Sequence, residues 1–442
     1  MINDWSIIEF RNADLQIIDG DRGKNYPKKE EMASEGHCLF LNTGNIKNDC
    51  LDFSNCDFIS MDKDNKLRKG KLQRFDSILT TRGTVGSVGF FSKNVHFNHI
   101  RINSGMVIIR PGKSLDPTYL YQLLKSPVLK SQYLLYSSGS AQPQLPIKDL
   151  KRINLLLPPL PTQRKIAAVL SAYDDLIENN PRRIALLERM AEELYKEWFV
   201  RMRFPGHESV RFEKGIPEGW EVKKIGEVYK TTSGGTPSRK HSTYYDGDIP
   251  WIKTGELRDS FIFKTDEFIT EDGLNNSSAK IVPPYSVVIA MYGATIGQLG
   301  ITTQPATTNQ ACCVFICYIH NIDYLYTFHI LKSIKESLIS IAFGGAQQNI
   351  SQTVIKNYAI LFPEVNIIHQ FNDFVLPYFK QIENLSRTNQ NLKTTRDRLL
   401  TRLISGKLSV EELDIAFPPS MQEEPPSNAE QLRLPLESMA LL

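Results

Sequence analysis

The 442 residues are 41% hydrophobic and carry a formal net charge of only +3, enough chain for about three domains of ordinary globular composition. No apolar run reaches the roughly 18 residues of a membrane span, and Met1-Ile2-Asn3-Asp4-Trp5 lacks the charged and apolar regions of a secretory leader, so a cytoplasmic protein without membrane attachment is expected. The charge neither demands nor excludes nucleic acid; what matters is its local concentration, as at Lys66, Arg68, Lys69, Lys71 and Arg74.

The first block opens on Trp5-Ser6-Ile7-Ile8 and passes through Phe40-Leu41-Asn42-Thr43-Gly44 and Ser77-Ile78-Leu79-Thr80. Thr81-Arg82-Gly83-Thr84-Val85-Gly86-Ser87-Val88-Gly89 then reads as strand, glycine turn and strand. Its G-x-x-G-x-x-G spacing is not a dinucleotide fingerprint and opens no helix. Two readings stand: a turn in which only glycine takes positive φ, or close backbone approach to a phosphate, aided by Arg82 and Thr84. An apolar strand follows Asn103-Ser104-Gly105, and Asp116-Pro117 is an N-cap and N1 pair for a short helix. Gly139-Ser140-Ala141-Gln142-Pro143-Gln144-Leu145 leads into the stop Leu157-Pro158-Pro159-Leu160-Pro161.

Apolar residues then step by four and three through Ile166, Leu170, Tyr173, Ile177, Asn180, Ile184, Leu187, Ala191, Leu194 and Trp198, a heptad seam. Pro181 should kink or interrupt this helix, and Arg203-Phe204-Pro205-Gly206 ends it.

The pattern then repeats. Trp220-Glu221-Val222-Lys223 echoes the opening, Trp251-Ile252-Lys253-Thr254-Gly255 echoes residues 40–44, and Ser286-Val287-Val288-Ile289 echoes 77–80. Tyr292-Gly293-Ala294-Thr295-Ile296-Gly297-Gln298-Leu299-Gly300 repeats the glycine turn. Asn309-Gln310-Ala311 precedes another apolar strand, and Gly344-Gly345-Ala346-Gln347-Gln348-Asn349-Ile350 precedes Pro363 and a second seam. That seam runs through Phe371, Val375, Tyr378, Ile382, Leu385, Asn389, Leu392, Arg396, Leu399 and Leu403, with Pro377 near its start. The offset drifts from 215 to 205 along the block, as expected of variable loops on a shared frame.

The expected fold is α+β: two pseudo-repeated α/β domains at 1–155 and 211–360, joined by helices within 156–210 and 361–410 that pair antiparallel as a coiled coil. A helix of about 40 residues is about 60 Å long, so such pairing would place the domains at opposite ends of a rod. Each seam contains an Asn, a common register device. A Pro-, Glu- and Ser-rich tail occupies 411–442 and is expected to be disordered from about Ala416.

Catalytic machinery is not legible. Val282-Pro283-Pro284-Tyr285 has Val where the Asp/Asn-Pro-Pro-Tyr loop of adenine methyltransferases needs a hydrogen-bond acceptor, and Gly406-Lys407-Leu408 is no Walker A motif. No acidic nuclease cluster or nucleophile elbow is found. His37, His96 and His99 read as structural or solvent-facing. Cys38, Cys50, Cys56, Cys312, Cys313 and Cys317 read as reduced, buried thiols without a metal.

Two variable domains, each followed by G-x-A-Q, a proline stop and a heptad helix, with Trp198-Phe199-Val200, Arg203-Phe204-Pro205-Gly206 and Ile216-Pro217-Glu218-Gly219-Trp220 at the junction, resemble the DNA specificity (S) subunit of type I restriction-modification systems. The resemblance covers nearly everything to residue 415; Pro181 departs from the uninterrupted helix of that family. It implies a non-catalytic subunit whose target recognition domains each read half of a split, asymmetric double-stranded DNA site, while the helices set the unread spacer. The helices would also dock two methyltransferase subunits, with restriction and translocase subunits joining; S-adenosylmethionine, ATP and Mg would act on those partners.

Amide and guanidinium groups suit base edges, which nominates Arg82, Asn103, Gln142 and Gln144 in one half and Tyr292, Asn309, Gln310, Gln347 and Gln348 in the other. Gly83, Thr84, Lys253 and Thr295 join them as DNA candidates. Recurrence of Gln142 and Gln347 in unlike domains favours a structural turn or a phosphate contact over base reading. Lys69, Lys71, Arg74, Lys223 and Lys224 are phosphate candidates, or a solvated charged face. Ile166, Leu170, Ile177, Leu187, Leu194, Trp198, Val375, Ile382, Leu392 and Leu399 are the coiled-coil and partner residues. Alternatives are a self-contained methyltransferase or nuclease, and a coiled-coil scaffold that binds protein. In the tail, Gln431-Leu432-Arg433-Leu434-Pro435-Leu436 is similar to peptides that dock bacterial sliding clamps.

Overall fold

The computed structural model describes residues 5–139, 142–316, 324–343 and 349–422. Gln347, Gln348, Cys317 and the clamp-like peptide fall outside the described residues. The chain forms two compact units, Met1–Asn179 with Asn391–Leu442 and Asn180–Gln390. The division crosses both long helices, so each unit contains a stretch of each.

The first unit is built on a four-stranded antiparallel sheet in the order Leu15–Asp19, Met106–Pro111, Ser77–Thr80, Val88–Phe90. A smaller sheet places Cys38–Leu41 between Phe58–Ile59 and Ile100–Ile102, the last pairing parallel. Ser6–Glu9 pairs Asn154–Leu157 as a two-stranded ribbon. The central strands are buried on both faces at 77–80 and 106–109, because the sheet separates two apolar clusters: Leu79, Val107 and Ile109 face one and Ile78, Met106 and Ile108 the other. Asp116 caps helix Pro117–Leu124 by accepting from Thr118 N and Tyr119 N, with Pro117 at the first helical position.

The second unit repeats this topology strand for strand. Its main sheet runs Lys230–Ser233, Cys312–Ile316, Val287–Ala290, Leu299–Thr302, with Ser260–Ile262 added at the edge. Tyr245–Ile252 lies between Phe268–Ile269 and the parallel Thr307–Thr308, and Glu221–Lys224 pairs Ala359–Phe362. Register refines the sequence alignment by one residue: Thr80 faces Met106 as Ala290 faces Cys312, so Ser77 corresponds to Val287 rather than Ser286.

The helices span Leu160–Tyr195 and Val365–Ile404. In the first unit Ile166, Ala167 and Leu170 share a core with Leu400, Leu403 and Ile404. In the second, Trp198 meets Phe371 with ring centroids 5.9 Å apart, and Ala191, Val375 and Ile382 are buried together. The start of one helix meets the end of the other within each unit, which is antiparallel pairing. Every seam position is buried or half-buried, including Ile177, Leu187, Leu194, Leu392 and Leu399. Asn180 and Asn389, both buried, meet each other, with Asn180 Nδ2 donating to Asn389 Oδ1 at 3.3 Å.

Pro181 does not interrupt the helix. Its ring is exposed, and seam contacts on either side outweigh a local cost of about 3 kcal/mol. The helix passes at Lys196–Val200 into a π-helical turn that buries both Trp198 and Phe199. The segment 416–422, expected to be disordered, is packed: Pro418 is buried, Ser420 N donates to Asp175 Oδ2 at 3.2 Å, and Lys93 Nζ donates to Gln422 O at 2.7 Å. Of the cysteines, Cys38, Cys312 and Cys313 are buried as expected, but Cys50, at the end of a short hairpin, is exposed and Cys56 half-exposed.

Arg396 occupies a seam position normally apolar, and Asp174 explains it. The guanidinium donates to Asp174 Oδ1 at 2.8 Å, while Lys125 Nζ and Gln122 Nε2 reach Oδ2 at 2.9 and 2.7 Å. Burial opposes the carboxylate charge, but Lys125 and Arg396 outweigh it and hold Asp174 below its ordinary range. Its charge therefore stabilises the fold fully above the unfolded pKa near 4, and that contribution is lost as pH falls through the lower folded value. Arg396→Ala is expected to cost about 1–3 kcal/mol in urea unfolding at pH 7, with a smaller difference from the parent at pH 3.

Candidate functional site

In the first unit one backbone link sets the geometry. Asn103 N donates to Leu41 O at 2.9 Å, tying the turn after the short strand Ile100–Ile102 to the end of its parallel neighbour. Gly105 O accepts from Thr81 N at 2.8 Å and Arg82 N at 3.2 Å, and Leu145 N donates to Thr81 O at 2.9 Å. Loops 42–45, 81–86 and 103–105 and the described residues 138–139 and 142–145 therefore converge at one edge. Gln144 exchanges two 2.9 Å backbone bonds with Ser138, closing a hairpin in which Gly139 has φ +92°.

The second unit repeats the links with different side chains. Asn309 N donates to Ile252 O at 2.9 Å, Met291 N to Ala311 O at 2.8 Å, and Ile350 N to Met291 O at 2.8 Å. Gly86 N bonds Thr80 O at 3.0 Å as Gly297 N bonds Ala290 O at 2.9 Å. Gly83, Gly86, Gly293 and Gly297 all have positive φ, the conformation for which glycine is the default residue. The glycine turns thus have a structural basis, and they lift Arg82 and Tyr292 onto the converging edge of their own units.

The nominated residues divide sharply. Arg82, Gly83, Thr84, Gln142 and Gln144 are exposed on the first edge, and no carboxylate lies within ion-pair distance of Arg82 among the described residues. Asn103 is half-buried and its Oδ1 accepts from Gly105 N at 2.9 Å, so that oxygen already braces the turn. Asn309 Oδ1 likewise accepts from the Cys312 thiol at 3.2 Å. Gln310 is exposed and takes a hydrogen bond from the Thr236 hydroxyl. Tyr292 is half-buried with its ring against the core, and Thr295 is half-buried in the glycine turn, where its carbonyl accepts from Gln298 N at 2.9 Å.

Several cations are spent on internal structure. Arg74 is not a free phosphate ligand: its guanidinium donates to Ser92 O, Val95 O and Phe97 O at 2.9, 2.8 and 3.2 Å and lies 4.2 Å from the centroid of Phe91. Lys71 pairs at 2.6 Å with the fully buried Asp64, which also binds Arg101. Burial works against this carboxylate, but Lys71 and Arg101 hold it below its ordinary range. Lys253 pairs with Glu267 at 2.7 Å. Lys223 pairs with Glu221 at 2.8 Å on the two-stranded ribbon. Lys69 keeps an exposed side chain.

Sequence reasoning missed the loop after the first strand of each main sheet. A Cβ at Gly20 would lie 2.3 Å from Asn103 O, and one at Gly234 2.3 Å from Asn309 O. Both loops press against the same Asn turn, and both carry cations: Arg22 and Lys24 in one, Arg239 and Lys240 in the other. The signal was a Gly-led, basic segment recurring at an offset of 214.

Two copies of one frame, each presenting unlike side chains at equivalent turns and each joined to a stretch of paired helix, define a two-module recognition protein. The chain belongs to the type I restriction modification DNA specificity domain family, which matches residues 4–189 and again 217–394. The MjaIX specificity subunit of a type I restriction enzyme from Methanocaldococcus jannaschii is 29% identical over 342 residues, spanning 76% of this chain and 78% of the relative. The HindI specificity subunit from Haemophilus influenzae is 23% identical over 454 residues, spanning 88% and 98%. The fold is similar to the solved type I restriction-modification S subunit from M. genitalium, with a TM-score of 0.58 at 15% identity over 90% of this chain and 96% of that one.

Arg82→Ala is expected to relax selection at one base pair of one half-site by about 1–3 kcal/mol, measured by competition binding with single-position variants of the recognised duplex. Arg74→Ala is expected to lower the melting temperature and leave that selection unchanged.

Proposed function

We propose that this chain is the specificity subunit of a type I restriction-modification enzyme and itself catalyses nothing. Each unit reads one half of a bipartite, asymmetric DNA site. The observation that carries this reading is the repeated backbone frame with Arg82 and Tyr292 at equivalent places: identical scaffolding with unlike contact chemistry suits two different half-sites. The long helices fix the spacer and dock two methyltransferase subunits, with restriction subunits completing the complex. S-adenosylmethionine belongs to the methyltransferase, which flips its target adenine; ATP and Mg belong to the translocating subunits.

Methylome sequencing of the source strain with and without the gene tests the proposal. The expected outcome is loss of adenine methylation at one split, non-palindromic motif, together with co-purification of a methyltransferase on co-expression. Unchanged methylation in a strain that expresses the partners overturns it.

A further inference from the structure

Asp21 joins two basic segments of the first unit. It is 8% exposed; its Oδ1 accepts from Gly23 N and its Oδ2 from Arg68 N, each at 2.7 Å. Backbone hydrogen bonds from Gly23, Arg68 and Lys69 hold the carboxyl ionised below its usual range, so the clamp persists at neutral pH. It ties the loop carrying Arg22 and Lys24 to the segment carrying Arg68 and Lys69, and Arg22, Lys24, Arg68 and Lys69 are all exposed. Arg22 Nη2 also reaches Ser104 O at 3.3 Å, within the turn whose Gly105 carbonyl anchors Arg82. The patch therefore borders the edge that presents Arg82. One carboxylate, Asp19, pairs with Arg22, at 3.2 Å, and the ammonium groups of Lys24 and Lys69 have no ion-pair partner among the described residues.

The equivalent loop of the second unit is built otherwise. Arg239 pairs with Glu267 at 2.6 Å and lies over the rings of Tyr245 and Trp251, 4.2 and 5.2 Å from their centroids. Glu267 also neutralises Lys253. There Arg239 is stacked and compensated, though it and Lys240 are exposed; in the first unit Lys24 and Lys69 are exposed with no carboxylate partner among the described residues.

We infer that Arg22, Lys24, Arg68 and Lys69, held together by Asp21, form a phosphate-binding arm that grips the DNA backbone beside the half-site read by the first unit. The inference rests on the proposed function. Multiple exposed cations on a carboxylate-clamped surface suit a row of phosphates, and the arm positions the duplex without reading sequence.

The test uses the full chain with its methyltransferase subunits and two duplexes, one carrying the methylome-defined site and one with that site scrambled, titrated from 50 to 300 mM salt. Arg22→Ala with Lys24→Ala is expected to weaken both duplexes by the same factor, about tenfold or more at 100 mM salt, and to lower the slope of log affinity against log salt by about 0.9 per lost contact. An unchanged slope, or an altered ratio between the duplexes, overturns the arm. Asp21→Asn gives a second readout: it removes a negative charge yet is expected to weaken binding, because the segments lose their clamp, with circular dichroism confirming the fold; tighter binding overturns the inference. If the parent complex does not distinguish the two duplexes, the proposed function itself fails, whatever the variants do.

Discussion

The edge on which the loops of each unit converge depends on a backbone hydrogen bond beside two parallel strands. Asn103 N to Leu41 O, and Asn309 N to Ile252 O, join the last residue of one strand to the turn leaving its neighbour. Main-chain groups make this bond, so it is indifferent to the side chains that the loops display. From it follow the anchoring of the glycine turn through Gly105 or Ala311 and the arrival of the segment ending at Leu145 or Ile350, whose side chains are buried. Arg82 is exposed and carries no core contact, whereas Tyr292 at the equivalent place also packs its ring against the core of its unit.

The same separation explains why cations must be sorted by partner and not by position. Arg74 satisfies loop carbonyls that would otherwise be left unpaired, and Lys71 and Arg101 neutralise the buried Asp64; removing any of these would leave polar groups uncompensated in the interior. Lys24 and Lys69 have no such duty among the described residues, and Arg22 meets only the half-buried Asp19 and the Ser104 carbonyl. A charged run in sequence thus contains two populations, told apart by whether a buried carboxylate or a set of loop carbonyls already holds the cation.

The architecture was legible in the sequence to an unusual degree because it is written twice. The seam residues from Ile166 to Leu403 emerge from period alone, the Asp116 cap from local chemistry, and the glycine turns from positions where positive φ recurs. Less was visible where the deciding contact is remote. Asp174 is 222 residues from Arg396, so an arginine in an apolar seam could not be explained locally. The packing of 416–422 was missed because composition averages over the two residues, Pro418 and Met421, that give the segment a surface to bury. The basic loops at Arg22 and Arg239 were overlooked because gaps in the repeat conceal their equivalence.

The π-helical turn at Lys196–Val200 carries a consequence for how this chain can vary. An α-helix advances 100° per residue, so neighbours such as Trp198 and Phe199 would splay apart around its axis. Widening the turn brings both onto the buried side, where Phe199 meets Trp220 and Phe371 at centroid distances of 6.1 and 5.1 Å. A widened turn stores one residue more than the helix needs. That surplus makes length, and not only residue type, a heritable constraint at this junction: loss of a single codon here would restore regular winding and rotate one of the two aromatic anchors out of the core, whereas between the shared segments of the two units the offset drifts from 215 to 205.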